Sequence, residues 1–155
     1  MSVTHSTFSL ERTYDASPAR VFAAFADPDQ KAQWFAGPDE WTLDAFDVDF
    51  RIGGHEMNRG GPKDGPAHSF EARYYDIVPD ERIVYAYDML LGDERISVSL
   101  ATIELAPAGE GTRLTLTEQG AYLDDFDDPK LRETGTRDLL EALGAYLAQT
   151  PASAS

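Results

Sequence analysis

Cysteine is absent from this chain of 155 residues. Its absence excludes a disulfide framework, a thiolate metal site and a cysteine nucleophile, because each of them needs the sulfur atom of that side chain. The first seven residues also lack the basic start and the apolar stretch of a secretory signal. These features are typical of a protein in a reducing compartment, and we expect a cytoplasmic protein.

Basic residues and long apolar runs are both scarce. Thirteen lysines and arginines stand against 28 acidic residues, which gives a formal net charge of -15. Binding to nucleic-acid phosphates depends on clustered basic side chains, so this balance disfavours a nucleic-acid partner. No apolar run approaches the roughly 20 residues that cross a bilayer, and we expect no membrane span.

The length and the composition predict a single domain. A chain of 155 residues, 42% of them hydrophobic, can bury roughly two thirds of the surface that its unfolded form exposes. No internal repeat or linker divides it, so we expect one domain over residues 1–155. Order is expected from about residue 6 to about residue 149, because the small polar residues that follow are typical of a frayed end.

Two helix starts follow one strand in the first 35 residues. Apolar and polar side chains alternate from Thr7 to Tyr14, which predicts a strand. Ser17 is then placed as an N-cap with Pro18 at the first helical position, which predicts a helix over residues 18–26. An Asp-Pro pair at 27–28 repeats this signal, so a second short helix is expected over about residues 29–35.

A double glycine interrupts the period-two pattern that fills the middle of the chain. Residues 46–50 alternate and run directly into Gly53-Gly54. Glycine supplies turn conformations that other residues rarely adopt, and a sheet that bends here would enclose an apolar space. Period-two segments separated by turns predict six strands, at residues 41–50, 54–59, 68–78, 83–91, 95–105 and 112–119.

Leucines at helical spacing predict one long amphipathic helix over residues 130–147. Antiparallel strands followed by a terminal helix indicate an α+β protein in which the helix covers one face of the sheet. The expected fold is a curved seven-stranded antiparallel sheet around a long C-terminal helix, with two short helices after the first strand. Either side chains or a ligand must fill the space between sheet and helix.

Five motifs, spread over most of the chain, resemble those of a known superfamily in type and order. They are Tyr14-Asp-Ala-Ser-Pro-Ala-Arg-Val-Phe22, Asp27-Pro-Asp29 with Trp34, Asp49-Phe-Arg-Ile-Gly-Gly54, Ile77-Val-Pro-Asp-Glu-Arg-Ile83 and Gly111-Thr-Arg-Leu-Thr-Leu116. The pattern is similar to the SRPBCC or START-like superfamily, and within it to the group named after the activator of a heat-shock chaperone's ATPase, often labelled polyketide-cyclase-like. The resemblance implies a helix-grip fold around a hydrophobic tunnel.

The resemblance leaves the function open, because the superfamily includes lipid carriers, hormone receptors, aromatic-polyketide cyclases, oxygenase ligand domains and chaperone co-activators. Two positions depart from many relatives. The last helix carries Gly135-Thr136 where many relatives have Gly-Trp, which implies an enlarged or reshaped tunnel mouth. Glu118 stands near a strand end that many relatives mark with a histidine.

Alternation along the strands predicts which side chains face the tunnel. On the strand at 83–91 the larger apolar set, which includes Tyr85, Tyr87 and Met89, shares one face. Two interpretations stay open: the tyrosines orient a ligand, or they pack in an ordinary core with their hydroxyls bonded to partners. The candidate ligand-binding residues are Trp34, Trp41, Phe46, Phe70, Tyr85, Tyr87, Met89, Ser97, Ser99, Tyr122, Leu131 and Leu139.

Two carboxylates are the candidate catalytic residues. We expect Glu118 and Glu56 on the otherwise apolar inner face, where a carboxylate is costly unless it is paired, hydrogen-bonded or protonated. Burial raises the pKa of a carboxyl, which suits a general acid or base in a cyclase or isomerase. The alternatives are an ion pair with Arg51, Arg73 or Arg95, or a position at the surface.

Neither a metal nor a cofactor is expected. His5, His55 and His68 lack the spacing of metal ligands, and the acidic residues 124–128 lack the pattern of a calcium loop. The double glycine precedes a strand rather than a helix, which differs from a dinucleotide-binding loop.

Three functions are compatible with these patterns. The leading one is the binding of a hydrophobic or aromatic small molecule in the tunnel, and a cavity below roughly 300 Å³ would disfavour it. The second is a cyclase or isomerase that uses a tunnel carboxylate. The third, a co-activator-like contact with a chaperone, is the weakest, because the sequence shows one acidic domain and no additional chaperone-binding domain. A homodimer is compatible with all three.

Overall fold

The computed structural model describes residues 1–35 and 42–149, and the predicted strand residue Trp41 and the predicted frayed end lie outside this part. The elements are β1 (Val3–Tyr14), α1 (Pro18–Ala26), α2 (Pro28–Lys31), β2 (Thr42–Val48), β3 (His55–Gly61), β4 (His68–Val78), β5 (Arg82–Leu91), β6 (Glu94–Ala108), β7 (Gly111–Leu123) and α3 (Pro129–Gln149). The strands form one sheet in the order β1-β7-β6-β5-β4-β3-β2, and each neighbouring pair is antiparallel. This confirms the predicted α+β class and helix-grip arrangement.

Both short helices begin at the predicted caps. The Ser17 side chain accepts a hydrogen bond from the backbone N–H of Arg20 at 3.2 Å at the start of α1. The Asp27 side chain accepts from the N–H of Asp29 at 3.0 Å at the start of α2 in the same way. α2 ends at Lys31, earlier than predicted, because two of the next backbone N–H groups bond three residues back, as in a turn, instead of four.

A double-glycine turn joins β2 to β3 and attaches both to β4. Gly53 has φ 84°, a left-handed conformation that favours glycine. A Cβ atom on Gly54 would lie 2.0 Å from the backbone oxygen of Asp49, so no other residue fits there. The N–H of Gly53 donates to the Tyr74 carbonyl at 2.8 Å, and the N–H of Tyr74 donates to the Gly54 carbonyl at 3.0 Å. The turn starts after Val48, earlier than the predicted strand end at residue 50.

The C-terminal half of α3 packs directly on β1 and α1. The Tyr14 hydroxyl donates to the backbone oxygen of Leu140 at 2.7 Å, and Arg20 donates to that of Leu147 at 3.0 Å. Arg20 therefore satisfies a carbonyl of the last helical turn, which has no backbone partner within the helix. Gly144 leaves room for the Tyr14 ring, since a Cβ there would lie 3.1 Å from it. This end of the helix is thus anchored to the rest of the fold.

The hydrophobic core lies between this half of α3, the helix α1 and the inner face of the sheet. Its completely enclosed members include Val21, Ala24, Leu114 and Leu143. The N-terminal half of α3 borders a cavity instead. Across the described residues, we find no helix that is both long enough and apolar enough to cross a membrane.

Candidate ligand-binding cavity

A cavity of about 580 Å³ lies between the inner face of the sheet and the first half of α3. The sheet supplies Tyr85, Tyr87 and Leu116 to one side, and α3 supplies Leu139 and Leu140 to the other. Most of the lining side chains are aromatic or aliphatic. The polar side chains in the lining are those of Asn58, His68, Glu118, Asp127, Arg132 and Thr136.

Most of the predicted site residues line this cavity. Alternation in β5 brings Tyr85, Tyr87 and Met89 to its sheet side, as the period of two indicated. Leu131 lies at the mouth rather than inside, because it is 68% exposed. The predicted residues in the lining are Trp34, Phe70, Tyr85, Tyr87, Met89, Glu118, Leu131 and Leu139.

Four predicted residues do not line the cavity. Ser97 and Ser99 are buried on β6, and the Tyr122 ring packs close to Ser99, since a Cβ on Gly120 would lie 2.9 Å from that ring and 3.0 Å from the Ser99 hydroxyl. Phe46 is half-buried on β2 and does not reach the cavity. Alternation identifies the face of a strand, but it does not show which inward side chains are covered by others.

Glu56 also lies outside the lining of this cavity, which corrects the expectation that it faces the tunnel. Its carboxylate is buried, and Oε1 accepts hydrogen bonds from Lys31 Nζ and from the Tyr74 hydroxyl, both at 2.5 Å. The partner is thus a lysine of α2 and none of the three arginines considered from the sequence. Burial, together with the charge of Glu56, raises the pKa of Tyr74 far above its usual value, so its hydroxyl stays a donor.

Glu118 belongs to a polar cluster that crosses the cavity. It is 2% exposed, and its Oε2 lies 4.0 Å from Nη1 of Arg132, near the start of α3. Arg132 donates to the Tyr87 hydroxyl at 3.1 Å, to Ser97 Oγ at 2.9 Å and to the Asp127 carboxylate. We call Glu118, Arg132, Tyr87, Ser97 and Asp127 the polar cluster. It connects three strands and the loop before α3 to the helix.

Burial dominates the protonation of Glu118 and Tyr87 in the polar cluster. It raises the pKa of Glu118 above the usual carboxyl value, although the neighbouring Tyr87 hydroxyl and the charge of Arg132 lower it. Burial and the charge of Glu118 raise the pKa of Tyr87, so this hydroxyl remains protonated. Burial also raises the pKa of the neighbouring Tyr122 to about 12. Glu118 therefore offers the cavity either a hydrogen-bond acceptor or a proton.

Arg132 is a site residue that the sequence-based prediction did not include. It stands four residues before Thr136 and eight before Leu140, and both of these are buried on the inner face of α3. This spacing was the signal that the arginine faces inward. Phe126, in the loop before α3, also lines the cavity and was not predicted, because no periodic pattern identifies a loop residue.

The fold and its cavity define a helix-grip protein of the START-like class. Residues 15–148 match the family described as activator of Hsp90 ATPase homolog 1-like protein. The chain therefore belongs to this family, which confirms the resemblance found in the sequence motifs. The fold of this family is compatible with ligand binding.

Solved structures share this fold over nearly the whole chain. A Rhizobium loti protein is 51% identical, with 94% of this chain and 99% of that chain covered and a TM-score of 0.88. A Rhizobium leguminosarum protein is 42% identical, with 96% and 98% covered and a TM-score of 0.92. A Chromobacterium violaceum protein is 30% identical, with 90% and 96% covered and a TM-score of 0.74. No curated protein matches the chain significantly.

Proposed function

We propose that the protein binds a hydrophobic or aromatic small molecule in the cavity between the sheet and α3. The observation that carries this proposal is the cavity itself, whose volume is about 580 Å³ and whose lining is mostly apolar. Pockets that hold drug-sized ligands range over roughly 300–1,000 Å³ and have mainly apolar walls with a few polar groups. This cavity has the size and the composition of such a pocket.

An aromatic wall favours a flat, unsaturated ligand. The rings of Phe70 and Tyr87 lie 4.6 Å apart at an interplanar angle of 34°, and those of Tyr85 and Tyr87 lie 6.0 Å apart at 37°. Phe35 meets Phe70 edge-on at 5.3 Å. Aromatic rings pair in offset and edge-on geometries of this kind, so a ligand ring would find matching partners on the wall.

The cavity has an apolar mouth that gives a ligand access. Leu43, Phe126 and Leu131 belong to the lining, yet they are 56%, 50% and 68% exposed. Side chains that meet both solvent and the cavity must border its opening. Apolar groups at this position support the entry of an apolar molecule, because the ligand loses contact with water progressively as it enters.

Gly135 gives a direct test of the cavity as the binding site. It lies in the lining, and no atom other than those of its chain neighbours and the adjacent helix backbone lies within 4 Å of the position that its Cβ would occupy. In Gly135→Phe the new ring should occupy the entrance, and the affinity for Nile red, a neutral fluorescent dye, should fall at least about tenfold. Gly135→Ala adds only one methyl group and should bind the dye as the wild type does.

The readout is the blue shift and intensity of dye emission during a titration, with thermal unfolding in the presence of excess dye as a second measurement. If neither pyrene nor Nile red nor a long-chain alcohol shifts the emission or the melting temperature of the wild type, the proposal is wrong. It is also wrong if Gly135→Phe folds and binds the dye with unchanged affinity.

A second candidate function is enzymatic proton transfer by Glu118. The specific observation is a buried carboxyl with a raised pKa in the lining of an apolar cavity. Glu118→Gln keeps the side-chain volume and removes the exchangeable acid proton. A bound molecule isolated from cell extract should be converted by the wild type and not by this variant, as followed by mass spectrometry. Recovery of the molecule unchanged from the wild type would exclude this function.

The chaperone contact and the homodimer remain predictions.

A further inference from the structure

The polar cluster presents one acceptor to the cavity without a donor to satisfy it. Glu118 Oε2 is buried and has no hydrogen-bond partner among the described residues, and Glu118 belongs to the lining. A buried carboxylate oxygen without a donor has lost its hydration and gained no hydrogen bond in return, which is unfavourable relative to a satisfied oxygen. A donor carried by a ligand would remove this cost.

The guanidinium group of Arg132, the cation nearest to Glu118, donates to other members of the polar cluster. Arg132 Nη1 donates to the Tyr87 hydroxyl, and Nη2 donates to Ser97 and Asp127. The distance of 4.0 Å from Nη1 to Glu118 Oε2 is an ion-pair distance and exceeds that of a hydrogen bond. The guanidinium group is thus held by β5, β6 and the loop before α3, and it does not turn fully toward Glu118.

The charges around the cavity disfavour an anionic ligand. The polar cluster contains two carboxyl groups and a single guanidinium group, which already pairs with Asp127. Asp124, Asp125 and Asp128 flank the same loop, and the whole chain carries a formal net charge of -15. A carboxylate on a ligand would therefore meet like charges on its way in, and the described residues of the lining offer it no uncommitted lysine or arginine beside Glu118.

We propose that the cavity selects ligands whose apolar body carries a neutral hydrogen-bond donor, such as a phenol or alcohol hydroxyl, that donates to Glu118 Oε2, and that it rejects ligands ending in a carboxylate. This inference rests on the proposed binding function and specifies the chemistry of the ligand. The aromatic wall holds the body of the ligand, and the polar cluster recognises its head group.

Three probes with one aromatic body separate the possible head-group preferences: 1-hydroxypyrene, 1-methoxypyrene and pyrene-1-carboxylate. Their dissociation constants are measured by fluorescence titration at pH 7. In the wild type, the hydroxyl probe should bind about tenfold tighter than the methoxy probe, because only the hydroxyl can donate. The carboxylate probe should bind more weakly than both.

Glu118→Met tests the assigned acceptor, since methionine has a similar length and no acceptor of comparable strength. The ratio between the hydroxyl and methoxy probes should fall to within about twofold, and the carboxylate probe should gain affinity. Glu104→Met is the matched control, because Glu104 is exposed on β6 and lies outside the lining, so all three affinities should stay within about twofold of the wild type.

Equal binding of the hydroxyl and methoxy probes to the wild type overturns the inference while leaving the proposed function intact, and this comparison needs no variant. Preserved discrimination in Glu118→Met, or tightest binding of the carboxylate probe, overturns it as well. If none of the three pyrenes binds the wild type and the neutral dyes also fail, the proposed function itself is wrong.

Discussion

At the scale of single residues, Lys31 and Glu56 form an ion pair whose side chains are 5% and 0% exposed. Removal of one member of such a pair leaves a buried charge without compensation, and this costs about 3–5 kcal/mol in other proteins. We predict a loss of that size for Lys31→Met. In the double variant Lys31→Met/Glu56→Leu most of the loss should be recovered, because no charge is then left behind.

Urea unfolding of the two single variants, the double variant and the wild type forms a double-mutant cycle that measures this coupling. The Tyr74 hydroxyl loses its acceptor in both variants that lack Glu56, so this loss occurs on both sides of the comparison and cancels in the coupling energy. A loss below about 1 kcal/mol in Lys31→Met would contradict the prediction, since the Glu56 carboxylate would then have found another partner.

The raised pKa of Glu118 makes the stability of the protein depend on pH, and the direction of the shift sets the sign of that dependence. Since burial raises this pKa in the folded state, the folded protein binds the proton more tightly than the unfolded chain does. The contribution of Glu118 to stability is therefore fully present below the ordinary carboxyl pKa. It is lost as the pH rises through the folded-state pKa. Wild type should lose stability relative to Glu118→Gln between pH 4 and pH 7.

The free energies of unfolding of both proteins, measured by urea titration at several pH values in this interval, test the sign. The difference between them isolates Glu118, because every other titrating group is shared by the two proteins. A difference that is constant with pH, or that moves in favour of the wild type, would show that burial does not dominate at this site.

The sequence predicted the apolar part of the candidate site better than its charged part. Tyr85 and Tyr87 were found because a period of two depends only on the strand to which they belong. Lys31 as the partner of Glu56 could not be found in this way, because the position of a helix as short as α2 is set by tertiary packing. Arg132 was within reach, since its spacing from Thr136 and Leu140 places it on the inner face of α3.

At the scale of elements, the double-glycine turn between β2 and β3 brings the backbone of Gly54 close to the carbonyl oxygen of Asp49. In Gly54→Ala the new Cβ would lie 2.0 Å from the Asp49 carbonyl oxygen, so the backbone must move and the hydrogen bonds to Tyr74 must stretch. We predict a loss of more than about 1 kcal/mol of unfolding free energy, measured by urea or thermal unfolding.

Gly135→Ala is the control for this substitution. Its Cβ would meet no atom within 4 Å apart from its chain neighbours and the adjacent helix backbone, and alanine is favoured over glycine inside a helix by about 1 kcal/mol. This variant should therefore be as stable as the wild type or slightly more stable. Equal effects of the two substitutions would mean that the loss comes from glycine removal in general and not from the contact with Asp49.

The order and type of the elements were predictable because strand period, turn residues and helix caps all agreed along the chain. The residues at which the strands begin and end were not predictable from these patterns. β1 begins at Val3, before the predicted start at Thr7, because its pairing with β7 continues to the pair Val3 and Leu123. β7 likewise extends beyond the predicted end at residue 119. A strand ends where its neighbour stops pairing, and for β1 that neighbour is β7, at the other end of the sequence.

At the scale of the whole molecule, the two halves of α3 differ in their surroundings. The C-terminal half is fixed by Tyr14 and Arg20 and packs on a dense core, whereas the N-terminal half borders the cavity and meets the sheet through the polar cluster. Fewer packed neighbours allow local opening at lower free energy. The same helix should therefore be more stable at one end than at the other.

Ligand binding should stabilise this weaker half selectively. Binding to the folded state alone adds about 2.7 kcal/mol at a ligand concentration of 100 times the dissociation constant. In hydrogen exchange with saturating 1-hydroxypyrene, we expect slower exchange over residues 130–139 of α3 and over β5, with a smaller change over residues 141–149. The Gly135→Phe variant, with its entrance filled, should show weaker protection at the same probe concentration. Equal protection along the entire helix would mean that the ligand acts only on global unfolding, and that the first half of α3 is no less stable than the second.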